Sequence, residues 1–325
     1  MRRLQLPGLF DLQVNGFGGV DFNGPSLSAE RCAAALERMR ASGVTRCLPT
    51  LITSSFERFA AGARTLARMS DPAIAGLHME GPYLSPQDGP RGAHPREHIT
   101  AASIDDFQRR QDAADGRILL VTLAPEVPGA LPLVEHLAAA GVRVAIGHTA
   151  ASAQQIRDAI GAGATLATHL GNGCAATLPR HPNPIWELLA ADDIVASLIV
   201  DGHHLPPATV KAMARAKGAG RTILITDAIA AAGCAPGRFT IGGVDCVLGD
   251  DGRVSLPDTP YLAGSSLTLD RAIGNMVRFS GLPLDEVIPM ASTIPAAYLG
   301  LTPGGTVTAD WDPEACELHV RHVHD

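Results

Sequence analysis

Three residues far apart in the chain have side chains suited to sharing one metal ion: Glu80, His148 and His169. Two imidazoles and one carboxylate leave a fourth position for water, a ligand pattern of catalytic zinc. Zn²⁺ lowers the pKa of such a water toward ~7, which makes a nucleophile available at neutral pH. Taken singly, each of the three would also suit a hydrogen-bonded place in a core, and only the set points to a metal. Asp227 closes the apolar run Ile223-Leu224-Ile225-Thr226. There a carboxylate can take a proton from water and return it to a leaving amine, although alone it also reads as a turn or capping residue.

Other polar groups cluster after apolar runs in the same way. Gly171-Asn172-Gly173 follows His169 and can turn backbone N–H groups toward an anionic ligand. Gly92-Ala93-His94-Pro95 lies in a long Gly/Pro loop after Glu80, the kind of segment that covers a binding mouth or simply lies on the surface. Of the adjacent His203 and His204, one is expected to face a site and the other to pack or face solvent. The tail histidines His319, His322 and His324 are expected to be exposed and to ligate nothing.

The elements that must position these groups are eight short aliphatic runs: 9–14, 44–52, 74–79, 118–123, 142–146, 164–168, 195–200 and 222–226. Between them stand Ala-rich stretches with helical periodicity, at about 28–41, 55–69, 102–114, 129–140, 152–161, 184–191 and 206–216, with a further helix at 266–279. The runs end in order at Gln13 and Asn15, Thr50 and Thr53, Glu80, Glu126, His148, His169, Asp201 with its two histidines, and Asp227. An open doubly wound sheet would gather functional groups at one switch point. Groups at the ends of the whole series favour an α/β fold of the (β/α)8 barrel type, whose site lies at the C-terminal ends of its strands.

The barrel is expected over residues 7–300, with β-hairpins inserted at about 234–260 around Gly242-Gly243 and Asp250-Asp251-Gly252, and a short β-rich tail at 304–325. A net charge of -7, from 26 Lys+Arg against 33 Asp+Glu, excludes a broad cationic surface for nucleic acid or anionic lipid, while leaving room for a local pocket for one phosphate. Six cysteines without a CxxC pair argue for reduced thiols in the cytoplasm and against cysteine-held zinc. Pro7, Gly8 and Asp11 interrupt any signal-peptide core, and no apolar run reaches membrane-spanning length.

The ordered motifs resemble the N-acetylglucosamine-6-phosphate deacetylase branch of the amidohydrolases. They are Pro7-Gly8-Leu9-Phe10-Asp11-Leu12-Gln13-Val14-Asn15-Gly16, Gly76-Leu77-His78-Met79-Glu80-Gly81-Pro82, Gly92-Ala93-His94-Pro95, Gly147-His148-Thr149, Thr168-His169-Leu170, Asp201-Gly202-His203-His204, Leu224-Ile225-Thr226-Asp227-Ala228 and Leu262-Ala263-Gly264-Ser265. The resemblance implies a homodimeric, metal-dependent hydrolase that removes the acetyl group from an N-acetylated amino sugar, N-acetylglucosamine 6-phosphate first among them. It implies metal ligation by Glu80, His148 and His169, proton transfer by Asp227, oxyanion stabilisation by the metal and His94, and a sugar contact from His204. Ala93, Asn172, Gly173, Leu262, Ala263 and Gly264 would line the substrate pocket.

Where many superfamily members have His-x-His on the first strand and two metals, this chain has Gln13-Val14-Asn15, so one divalent ion, zinc, is expected. Arg180 stands at the family's distance for the phosphate contact, but within Pro179-Arg180-His181-Pro182-Asn183-Pro184 rather than the usual Arg-Glu-Pro-Gly. Only about six residues precede the first barrel motif, so the family's accessory β-sandwich is expected to be reduced or absent. Two other readings are an amidohydrolase for an unphosphorylated N-acyl sugar or other amide, and a silent sugar-phosphate-binding barrel. Metal set and Asp227 together weigh against the second, since a binder has no use for a proton shuttle.

Overall fold

A computed structural model of the chain describes residues 1–259 and 261–324. Pro260 and Asp325, the outer ends expected for the insertion and the tail, lie outside the described residues. Eight parallel strands follow one another around a single sheet in sequence order. They are β1 (Leu9–Val14), β2 (Val44–Ile52), β3 (Leu77–Glu80), β4 (Ile118–Leu123), β5 (Arg143–Ile146), β6 (Leu166–Ala167), β7 (Val195–Leu198) and β8 (Thr222–Leu224). Their side chains are nearly all buried on both faces, which is why the runs read as continuous aliphatic stretches rather than alternating ones.

The sheet all but closes into a barrel. Between β1 and β8 the ladder is replaced by side-chain and end contacts: Thr226 donates its backbone N–H and its hydroxyl to the Asp11 carboxylate, and Asp227 N–H donates to Gln13 O at 2.9 Å. Val14 and Ala228 then form an isolated parallel bridge. The expected (β/α)8 architecture is therefore the observed one.

Helices α1 (Ala29–Arg40), α2 (Phe56–Ala67), α3 (Ile104–Ala113), α4 (Ala130–Ala139), α5 (Ala153–Ala162), α6 (Pro184–Ala190) and α7 (Pro207–Lys217) fill the connections, and α8 (Leu269–Ser280) follows β8. Their starts are written in the sequence: Ser28, Ser55, Ser103 and Ser152 each accept from a backbone N–H three residues on, and Ser152 with Gln155 forms a full capping box. In α2 the buried Phe59, Ala63 and Leu66 recur at helical spacing and face the sheet.

Two three-stranded sheets flank the barrel. Strands Gly237–Ile241, Val244–Leu248 and Val254–Ser255 form an antiparallel insertion after β8. Its first turn, Gly242-Gly243, has φ of 58° and 94°, a left-handed pair that glycine adopts readily in a two-residue hairpin. At the other end Arg2–Pro7 pairs with Thr306–Asp312, which pairs with Glu317–His324. The accessory β-structure is thus present as three strands, and the residues before β1 are one of them.

Inside the barrel, one layer below the strand ends, lies a buried polar chain. His78 Nε2 is 2.8 Å from Thr122 Oγ1, Thr122 Oγ1 is 2.7 Å from Thr168 Oγ1, and His78 Nδ1 is 3.3 Å from Thr50 Oγ1. Burial pushes the His78 imidazole down to about 4, so it stays neutral, donating from one ring nitrogen to a threonine hydroxyl and accepting from a threonine hydroxyl at the other.

Candidate active site

The C-terminal ends of β3, β5 and β6 bring Glu80, His148 and His169 together, with one ligand atom of each lying within 4.8 Å of the others. His169 Nε2 is 3.0 Å from Glu80 Oε1 and 3.0 Å from His148 Nε2. His148 donates from Nδ1 to Pro90 O at 2.8 Å, which, in the neutral ring that metal ligation would require, leaves the lone pair on Nε2, facing the other two residues. Two ring nitrogens and a carboxylate oxygen aimed at one point are a donor set that fits a divalent cation. Burial alone would raise the Glu80 carboxyl, but the hydrogen bonds and charges of His148 and His169 hold it well below the usual carboxylate range.

Geometry no sequence pattern announces is the backbone at these strand ends. His148, His169 and Asp227 have φ of 50°, 33° and 49°. Left-handed conformations at non-glycine residues are strained and gather at functional sites. Here they sit at the ends of β5, β6 and β8, whose side chains line the cleft at the barrel mouth. Gly173 is left-handed too, and a Cβ on it would lie 2.8 Å from His148 Nδ1, so the loop after β6 can press against the imidazole only as glycine.

Asp227 sits across the mouth from Glu80. Burial, and then the Glu80 charge, push its carboxyl up to about 6, near the range useful to a proton shuttle at neutral pH. Asn15 Nδ2 and Gln13 Nε2 both donate to its Oδ1, at 2.7 and 3.2 Å. His94 stands with Nε2 3.2 Å from His148 Nε2 and Nδ1 2.9 Å from Thr53 Oγ1. Burial and then the neighbouring His148 push the His94 imidazole down to about 3, so it is neutral and can offer an N–H.

A cleft of about 260 Å³ opens on this group, lined by Ala93, His94, Asn172, Gly173, His204 and Asp227, with Leu262, Ala263 and Gly264 along one wall. His204 reaches the cleft because Asp201 Oδ2 accepts from its Nδ1 at 2.7 Å, while the neighbouring His203 turns outward toward Asp251 O. Arg180 and Glu126 do not join the cleft. Arg180 is exposed and absent from its lining. Glu126 instead accepts from Thr149 Oγ1 and Ala150 N, pinning the loop after β5. Of the tail histidines, His322 and His324 are exposed, and His319 is half-buried beside Glu317.

The pattern of strand ends did not reveal Ile52, Ile241 and Tyr261, which also line the cleft. Ile52 pairs in register with Glu80, so pairing the two predicted strands would have found it. Ile241 and Tyr261 arrive from the insertion and from the segment after it, which no strand-end rule reaches.

Residues 4–315 match the family model of the amidohydrolase family. The chain belongs to that family, in its N-acetylglucosamine-6-phosphate deacetylase branch. This amidohydrolase is a hydrolase that acts on an amide. It is 34% identical over 315 residues to an N-acetylglucosamine-6-phosphate deacetylase of Lysinibacillus sphaericus, covering 95% of this chain and 80% of that protein. It is likewise 34% identical over 305 residues to an N-acetylgalactosamine-6-phosphate deacetylase of Escherichia coli O157:H7, covering 92% and 78%. Among solved structures, a mutant of the Mycobacterium smegmatis N-acetyl-D-glucosamine-6-phosphate deacetylase, in complex with N-acetyl-D-glucosamine-6-phosphate, superposes with a TM-score of 0.90 at 32% identity, covering 98% of this chain and 86% of that one.

Proposed function

We propose that this amidohydrolase converts N-acetylglucosamine 6-phosphate to glucosamine 6-phosphate and acetate, with one divalent ion, zinc, held by Glu80, His148 and His169. The observation that carries the reading is the convergence of those three donors opposite Asp227 at one barrel mouth. When bound, the ion would supply Lewis acidity toward the acetamide and lower the pKa of an attacking water. Asp227 accepts the proton of that water and returns it to the departing amine. His94 offers its N–H to the developing oxyanion, and His204, braced by Asp201, contacts the sugar. Ala93, Asn172, Gly173 and the Leu262-Ala263-Gly264 wall enclose the sugar.

Because Arg180 lies outside its own chain's cleft, we propose that a homodimer brings the partner's copy to the phosphate. The proposal places one catalytic barrel over residues 7–300 with 304–325 as an appended tail. It also places the enzyme in the cytoplasm, supported by six unpaired thiols. Among the described residues no helix is long and apolar enough to cross a membrane.

The test is acetate release from purified, zinc-loaded protein offered N-acetylglucosamine 6-phosphate, its galacto epimer, and the unphosphorylated sugars. Preference for the gluco phosphate is expected. Faster turnover of the galacto epimer or of an unphosphorylated sugar would reassign the substrate, and no amine release from any of them would refute the reading. Arg180→Ala is expected to raise KM for phosphorylated substrates alone.

A further inference from the structure

The mechanism so far gives Gln13 and Asn15 no task, yet both are buried, Gln13 donating to both of its carboxylates and Asn15 to Asp227. Gln13 Nε2 carries two hydrogens and has two acceptors, Glu80 Oε1 at 2.8 Å and Asp227 Oδ1 at 3.2 Å. Asn15 Nδ2 donates to the same Asp227 Oδ1 at 2.7 Å. Among the described residues no hydrogen bond engages Asp227 Oδ2.

We propose that Gln13 and Asn15 are positioning residues: together they clamp Oδ1 of Asp227, so that Oδ2 is the oxygen presented to the reacting atoms. The inference rests on Asp227 being the proton-transfer residue. A carboxylate accepts and cannot donate, so Asn15 must turn its NH2 toward Asp227, and its Oδ1 is left buried with no partner. That is a destabilising arrangement, and it makes sense where a donor to Asp227 matters more than a satisfied amide. Gln13 adds a fixed N–H bridge between two carboxylates that would otherwise repel, linking the orientation of Asp227 to that of Glu80.

The backbone of the same segments is joined independently of these side chains. Asn15 N–H donates to Ala228 O, Asp227 N–H donates to Gln13 O, and Val14 bridges Ala228. Changing the side chains therefore leaves barrel closure to the backbone.

The test compares Asn15→Leu, Asn15→Asp and Gln13→Met in zinc-loaded enzyme, with N-acetylglucosamine 6-phosphate as substrate. Each is expected to lower kcat by about 10- to 100-fold while KM stays within about threefold. Asn15→Asp keeps the size of the side chain but sets a second carboxyl beside Asp227, and the proton the two must share keeps Asp227 from acting as base, so it should fall as far as Asn15→Leu at neutral pH. In an Asp227→Asn background, adding Asn15→Leu should lower the residual rate no further, since residues acting as a unit are non-additive. Metal content per chain and the substrate Kd measured calorimetrically in that background should be unchanged. Asn15→Asp within about threefold of wild-type kcat, a loss that multiplies with that of Asp227→Asn, or loss of the metal from Asn15→Leu would each overturn the clamp while the deacetylase reading stands. A wild-type enzyme inactive on all N-acetyl amino sugars would overturn both.

Discussion

Asp227 illustrates how a single residue's chemistry is set by what surrounds it. As a carboxylate in water it would titrate near 4, whereas burial and the Glu80 charge bring it to about 6. A general base works only when ionised, so kcat should fall as pH drops through about 6, and a rate profile from pH 5 to 8 checks this. Asp227→Asn should bind metal normally and lose about 10²- to 10⁴-fold in kcat; a variant that deacetylates at the wild-type rate would remove Asp227 from the mechanism. Gly173 acts through shape alone. Gly173→Ala would push a methyl against His148 Nδ1 and strain a left-handed backbone, so metal affinity should drop by about 10- to 100-fold, measurable as zinc retained after dialysis against a weak chelator.

Among the elements, the closure of β1 onto β8 is the least conventional, because the Asp11 carboxylate stands where ladder bonds would be. Burial pushes that carboxyl up to about 7 even though Thr226 and Gln13 donate to it. A carboxyl raised in the folded state binds its proton more tightly there than in the unfolded chain. Its contribution to stability is therefore full below the unfolded value near 4, and is lost as pH rises through about 7. Asp11→Asn keeps an acceptor for the backbone N–H groups and cannot titrate. Relative to wild type it should be less stable at pH 5 by about 1–2 kcal/mol, and the gap should narrow by pH 8; urea midpoints at the two pH values measure both. A gap that widened with pH would mean that Asp11 folds in as the anion.

At the scale of the molecule, the small terminal sheet is joined to the barrel through α8. A Cβ on Gly274 of that helix would lie 2.2 Å from Cys316 O, so helix and tail approach as closely as backbones can. Gly274→Ala should destabilise the protein by about 1–3 kcal/mol, seen as a lower Tm with kcat unchanged, since the contact is remote from the cleft. Much of this organisation was legible beforehand, because parallel strands buried on both faces leave unbroken aliphatic runs and serine caps mark where helices start. Composition and order along the chain thus determined the barrel and singled out the three donors and Asp227 at its mouth. Tertiary structure alone decided that Gln13 and Asn15 donate to Asp227, that Ile241 and Tyr261 wall the cleft, and that Arg180 stands outside its own chain's cleft. The physical reason is that periodicity records which face of an element is buried, while pairwise donation, left-handed strand ends and the reach of an insertion depend on where other elements stop.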